Sequence, residues 1–273
     1  MTTQKLARAA LFIYLGTVAA VIVIPMAYVL FGAVRPTPAI TGTLKDLVPT
    51  GFTWDHVASA FNRAPLLRQM VNSAVVVLAQ TGLQILTSLL AAYALVFGRL
   101  RRPGLVLGIY LVTLMIPNEA TIVANYLTIR SLGLFDTLIA VFLPFAASAY
   151  SIFLLRQAFL TFPRELHDAA RVDGVGPMRF LFGFLIPLTR PTVMTATLMS
   201  AIAAWNGYLW PLLVTESASS RTVQVGVKAL FDESNTDLGA GLAGLIVVSI
   251  PTIALVIVGQ KFLARGLTEG AVK

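Results

Sequence analysis

Thr161-Phe-Pro-Arg-Glu-Leu-His-Asp-Ala-Ala-Arg-Val-Asp-Gly-Val-Gly-Pro-Met-Arg-Phe-Leu-Phe-Gly-Phe-Leu-Ile-Pro187 is a charged, helix-breaking and helix-restarting stretch between two long apolar segments. Pro163 suits a first helical turn, having no amide to lose and a preset φ, and Glu165 complements the positive end of the helix that follows. The pattern predicts a short helix over about 163–173, with Leu166, Ala169 and Ala170 on one face. The alanines there are small enough for a partner surface to approach the backbone. Asp173-Gly174 ends it, because glycine takes a left-handed C-cap without strain. Val175-Gly-Pro177 turns the chain, Met178 to Phe184 restarts an apolar helix, and Pro187 with Pro191 marks entry to the next apolar segment. Two short helices joined at a fixed bend are expected.

The surrounding chain sets the environment of that bend. Its 273 residues are 57% hydrophobic and 12% charged, with a mean hydropathy of +0.83, beyond the apolar share of a soluble domain. This is the composition of an integral membrane protein. The net charge of +8 does not point to nucleic acid, because the basic residues are scattered between apolar runs and not gathered on one face with aromatics. Absence of cysteine removes disulfides, thiolate metal sites and cysteine nucleophiles together.

A membrane-spanning helix needs about 20 mostly apolar residues. That ruler predicts an all-α integral membrane protein with six transmembrane helices, at about 9–34, 69–97, 104–128, 134–160, 189–214 and 238–264. The first follows Lys5 and Arg8 like a signal peptide, but its apolar run is longer than the roughly 7–15 residues of a signal core, so it is expected to stay as an anchor. Seven basic residues (Arg35, Lys45, Arg63, Arg68, Arg130, Arg221 and Lys228) fall on one side of this arrangement, leaving thirteen of the twenty on the other. By the positive-inside rule both termini are cytoplasmic, with an N-terminal piece 1–8 and a tail 266–273 around a single transmembrane domain 9–265. The segment 35–68 is then external. Within it Trp54, Val57, Ala58 and Phe61 have the spacing of a helix with one apolar face, expected to lie in the membrane interface. His56 falls on the opposite face, with no second ligand near it. The loop 161–188 is cytoplasmic.

The loop resembles the EAA motif of ABC-importer permeases: Glu-Ala-Ala, three residues, Gly, nine residues, then Ile-x-Leu-Pro. Those places read Asp168-Ala169-Ala170, Gly174 and Phe184-Leu185-Ile186-Pro187, with the spacing kept and Asp in place of the first Glu. The fuller string Pro-x-Glu-Leu-x-x-Ala-Ala-x-x-Asp-Gly is similar to the carbohydrate-uptake, maltose-type class, as is the tail from Gly266 to Lys273. Trp205-Asn-Gly-Tyr208-Leu-Trp210-Pro-Leu-Leu-Val214 resembles the second permease subunit of glycerol-3-phosphate importers. The resemblance implies a coupling helix, using Glu165, Asp168, Ala169, Ala170, Asp173, Gly174 and Pro187, that docks into a cytoplasmic ATPase subunit. It also implies a second homologous permease, two ATPase subunits and an external substrate-binding protein as partners, with ATP and Mg bound by the ATPases and no cofactor bound by this chain. The location implied is the cell (cytoplasmic) membrane. Consistent with a non-hydrolytic role, no Gly-x-x-x-x-Gly-Lys-Ser/Thr phosphate loop occurs. Gly239-Ala-Gly241-Leu-Ala-Gly244 is a literal GxGxxG, but it lacks a preceding strand and is expected to serve close helix packing.

Polar groups inside spans are costly in hydrocarbon and so become candidates for a solute path. Asn118 and Glu119 follow Pro117, and Asn125, Asn206 and Tyr208 join them, while Trp205 and Trp210 could stack on a sugar or glycerol face. Alternatively the tryptophans form an interfacial belt and Glu119 is a hydrated residue at the external mouth. Gln80, Gln84, Thr87 and Ser88 read as interhelical hydrogen bonds. Two other functions compete with an importer subunit for a sugar or glycerol-phosphate-type solute. An ion-coupled secondary carrier would show internal repeats, and a membrane enzyme would cluster catalytic His, Asp or Glu at one face. No convincing internal repeat is evident, and the one such cluster, Glu165, His167, Asp168 and Asp173, is explained better by docking.

Overall fold

The structure, a computed structural model, describes residues 2–36, 43, 51–233 and 238–268. Part of the expected external segment (37–42 and 44–50) and the end of the expected tail (269–273) lie outside the described residues. What is described is helical: α1 (Thr2–Val34), α2 (Asp55–Arg63), α3 (Leu66–Phe97), α4 (Pro103–Thr113), α5 (Asn118–Ser131), α6 (Leu138–Phe142), α7 (Ala149–Leu160), α8 (Arg164–Val172), α9 (Pro177–Phe180), α10 (Ile186–Leu188), α11 (Arg190–Trp205), α12 (Leu209–Val214), α13 (Val223–Glu233) and α14 (Leu238–Thr268). A 3₁₀ turn at Leu143–Phe145 follows α6, and a π-helical turn at Leu181–Leu185 joins α9 to α10.

Three stretches, Ala10–Val34, Leu66–Phe97 and Leu238–Gln260, are straight helices long and apolar enough to cross a membrane. Three more reach that length only as bent pairs: α4 with α5 at 91°, Leu138–Phe145 with α7 at 47°, and Pro177–Leu188 with α11 at 89°. The span expected at 104–128 is broken at Pro117, where the sequence placed a loss of helical regularity, and the reason is local. Leu114, Met115 and Ile116 close i→i+3 bonds at 3.0–3.3 Å, tightening the end of α4. Pro117, extended at ψ 136°, has no N–H to carry the ladder on. The expected helix at 189–214 breaks too. An α-helix through residue 207 would need a Pro211 N–H to bond the Gly207 carbonyl, so the chain stops at Asn206 and restarts at Leu209.

The chain divides into two compact units. One holds the residues up to Arg68 together with Val225–Ile250. Its buried centre is Ala33, Leu242 and Ala243, packed against Tyr28, Val29, Val57 and Phe231. The glycine run of α14 works by letting large groups approach: a Cβ at Gly239 would overlap the His56 ring, one at Gly241 would lie 2.8 Å from Phe231, and one at Gly244 would lie 2.7 Å from Leu230. His56 is thus buried, at 2% exposure, with Nε2 2.8 Å from the Arg35 carbonyl. That corrects its expected surface position. Trp54, just before α2, and Phe61 within it are exposed, whereas Val57, expected on the same apolar face, packs inward.

The other unit, Gln69–Gln224 with the chain from Pro251 onward, contains the features with functional interest. One core joins Leu89, Leu155, Phe159, Phe180, Leu181, Leu185 and Ala196, and a second joins Val76, Ile129, Ala140, Val141, Trp210 and Val214. The second is closed by Asp136, which adopts φ 60°. Its amide donates to the Val214 carbonyl at 2.9 Å. Its carboxylate accepts from the Glu216 amide at 2.7 Å, the Ser217 amide at 3.0 Å and the Ser220 hydroxyl. The Ser220 hydroxyl above all, opposed by partial desolvation and reinforced by the two amides, holds the carboxyl well below the usual carboxylate range.

Two stability measurements test this packing. Gly239→Val should destabilise by about 1–3 kcal/mol, since the His56 ring has nowhere to retreat, seen as a lower melting temperature in detergent, with His56→Ala recovering part of the loss. Asp136→Asn should melt lower than the parent at neutral pH. Because the folded pKa is depressed, that gap is present above the ordinary carboxylate pKa, about 3.9, and should close as pH falls below it toward the folded value.

Candidate functional site

A cavity of about 410 Å³ opens where the broken helices meet. Pro117 fixes the start of α5, so Asn118 and Glu119 stand in its first turn and Asn125 lies two turns on, all lining the cavity. The break between α11 and α12 adds Gly207 and Tyr208, and α12 adds Leu209, Trp210 and Pro211. Trp210 is 7% exposed. Its indole N–H donates to the Ala140 carbonyl at 3.0 Å and its ring meets Phe145 edge-on at 6.3 Å, so it offers the cavity an apolar surface with its polar group already satisfied.

The structure therefore brings together five of the residues expected along a path: Asn118, Glu119, Asn125, Tyr208 and Trp210. It does not bring Trp205 or Asn206. Trp205 is buried, at 5% exposure, and is absent from the lining, while the exposed Asn206 side chain turns back to donate to the Ile202 carbonyl at 2.9 Å. Burial of both tryptophans does not fit an aromatic belt. Gln80 and Gln84, expected to bond between helices, line the cavity instead. Of their neighbours, Thr87 does bond across, to the Ala146 carbonyl at 2.9 Å, and the Ser88 hydroxyl has no partner. Their one-turn spacing was the available signal, but in an α3 apolar on most faces it could not say which face was hollow.

The second feature is α8. Pro163 precedes it and Glu165 occupies its first turn. It ends in two nested bonds, Val175 N–H to Ala170 C=O at 2.9 Å and Gly174 N–H to Arg171 C=O at 3.1 Å, with Gly174 at φ 73°. This is a Schellman cap. No atom lies near a Cβ built on Gly174, so glycine is needed there for conformation and not for space. The expected shared face of Leu166, Ala169 and Ala170 divides. Ala170 turns inward to Phe180 and Val175, whereas Leu166, Ala169, Asp168, Val172 and Asp173 face out, Val172 at 87% exposure. Pro187 lies in α10, exposed, ahead of the turn into α11.

His167 holds α8 down. Its ring packs between Phe97 at 4.7 Å and Phe180 at 4.9 Å, beside a crevice of about 450 Å³ that also meets Arg99 and Arg171. Sequence reasoning grouped His167 with Glu165, Asp168 and Asp173 on a docking helix and so missed its inward ring. The i, i+3 spacing of His167 with Ala170 was the signal available. Among the described residues no group of three or more His, Asp or Glu side chains could hold a metal.

An all-helical membrane protein with a polar cavity at broken helices and a capped amphipathic helix outside them is the class so defined. The chain belongs to the family of binding-protein-dependent transport system inner membrane components, whose pattern matches residues 84–269. It is 34% identical over 231 residues to the sn-glycerol-3-phosphate transport system permease protein UgpE of Yersinia enterocolitica, covering 82% of each chain. It is 40% identical over 207 residues to the protein of that name from Agrobacterium fabrum, covering 75% of this chain and 73% of the relative. The fold matches, with a TM-score of 0.84 and 23% identity over 96% of this chain and 98% of the other, a crystal structure of a bacterial ABC transporter involved in the import of the acidic polysaccharide alginate.

If the His167 ring anchors α8, His167→Ala should cost about 1–3 kcal/mol for two ring contacts, read as a lower melting temperature in detergent. His167→Phe, which keeps both contacts, should melt close to the parent.

Proposed function

We propose that this chain is one of two permease subunits of an ATP-driven importer, and that it forms half of the path for a sugar or glycerol-phosphate-type solute. Glycerol 3-phosphate, a glycerophosphodiester or an oligosaccharide fits that description, and the names of the relatives favour the first. The second permease supplies the other wall, an external binding protein delivers the solute, and two cytoplasmic ATPase subunits bind ATP and Mg. This chain hydrolyses nothing. It crosses the cytoplasmic membrane six times, with both termini and α8 in the cytoplasm and the Asp136 clamp outside.

The observation that carries this reading is the outward face of α8. Leu166 and Val172 are 51% and 87% exposed, with Ala169 between them and Glu165, Asp168 and Asp173 around them. An apolar strip this bare on a nine-residue helix, ringed by carboxylates and anchored from below by His167 and Ala170, is shaped to enter a cleft on another protein. Glu165, Asp168 and Asp173 would meet basic groups at the rim of that cleft, while Ala169 lets its wall come close. Gly174 and Pro187 set the angle at which α8 leaves and the chain re-enters the membrane.

Testing requires the complete importer in proteoliposomes. Ala169→Trp should leave the chain folded and inserted but lower both solute uptake and solute-stimulated ATP hydrolysis at least tenfold, since it fills the docking strip. Ala170→Trp should instead lower the melting temperature of the isolated chain, because that residue faces the core. Normal uptake and normal stimulated hydrolysis with both Ala169→Trp and Gly174→Val would refute the docking role.

A further inference from the structure

The wall that α3 gives to the cavity contains Gln80 and Gln84, one helical turn apart. Each is 8% exposed and reaches the cavity, and neither side-chain amide hydrogen-bonds to any described residue. Neither amide is among the fully buried polar groups left without a partner, so both open into the cavity. Thr87 on the same helix shows the usual resolution, its hydroxyl donating to the Leu83 and Ala146 carbonyls at 2.8 and 2.9 Å. The two amides therefore take their partners from whatever occupies the cavity. Across it, Asn125 has only a 3.5 Å contact with the Thr121 hydroxyl, too long to occupy its amide.

The charges of the lining narrow the chemistry. Among the described residues, Glu119 is its single charged residue, and no Lys, Arg or His contributes. The α5 N-terminus opens here and would by itself favour an anion, but it already carries the Glu119 carboxylate in its first turn. A second anion in the same low-dielectric space would be repelled. Phosphate recognition calls for Arg forks or unneutralised helix ends, and this wall has neither. Carboxamides both donate and accept, which matches adjacent hydroxyl groups.

We infer that Gln80 and Gln84 are specificity-determining residues that read hydroxyl groups, so that this chain's wall takes the uncharged, hydroxyl-bearing part of the solute and turns phosphate away. The inference rests on the importer reading and deepens it: a phosphate ester would cross with its glycerol or sugar end against α3 and its phosphate toward the partner permease.

The cysteine-free sequence allows a test that needs no transport, so its outcome is separable from that of the importer reading. In the complete importer in proteoliposomes, Gln80→Cys and Gln84→Cys are treated with a cationic (aminoethyl) or an anionic (sulfonatoethyl) methanethiosulfonate, and the mass of this chain is followed. Relative to a free thiol, the cationic reagent should react about tenfold faster than the anionic one, and Glu119→Gln should bring the two rates together. Ser88→Cys, at a site 0% exposed on the same helix, should stay unmodified. At constant ionic strength and osmolarity, glycerol should slow modification of the residue 84 cysteine at least twofold while inorganic phosphate leaves it unchanged. Should Gln84→Cys fail to assemble, Asn125→Cys serves in its place. Equal or anion-favouring rates with Glu119 intact, modification at residue 88 as fast as at 84, or protection by phosphate as strong as by glycerol would each overturn the inference.

Discussion

A peptide group in hydrocarbon has no water to bond, so each must find its partner within the chain. Everything else in this protein is arranged around that constraint. It makes the described structure helical and forces each interruption of a helix to occur where the freed groups can be served. At Leu114–Ile116 the loss is limited by tighten-and-stop turns before Pro117, and at Asn206–Tyr208 by the Gly207 N–H, which reaches the Ala204 carbonyl at 3.4 Å. Both interruptions border the same cavity. The polar side chains gathered there share their location with the breaks in the backbone, and the two belong to one solution.

Much of this arrangement was legible from residue types. Apolar length located α1, α3 and α14, and Asp173-Gly174 located the end of α8 and its left-handed residue, because few side chains tolerate that conformation. Five of the expected path residues do meet in one cavity. The failures share one cause, which is that hydropathy measures how much of a segment avoids water and not which way it points. Pro117 marked a break that the structure contains, whereas Pro211 was visible yet absorbed by a length rule into one helix. His56 looked solvated until Gly239, 183 positions later, made room for its ring. Ala169 and Ala170 are adjacent in sequence and similar in character, and only the three-dimensional path of α8 sends one outward and the other into the core.

Helix α3 links the two functional features of its unit. Gln80 and Gln84 reach the cavity from its middle, and Phe97 at its last position receives the His167 ring of α8. Thirteen residues separate Gln84 from Phe97, about 20 Å of helix at 1.5 Å per residue. No proline interrupts its 32 residues, in contrast to the bent pairs on either side of the cavity.

The Schellman cap and the ring stack at the root of α8 have a mechanical meaning as well as a thermodynamic one. A helix hung on two supple linkers would swing when pushed and absorb the stroke as its own rotation. Here Val175 and Ala170 lock the exit, and His167 bears on Phe97 and Phe180. Through the His167–Phe97 contact, α8 is held against the end of the same helix that carries Gln80 and Gln84.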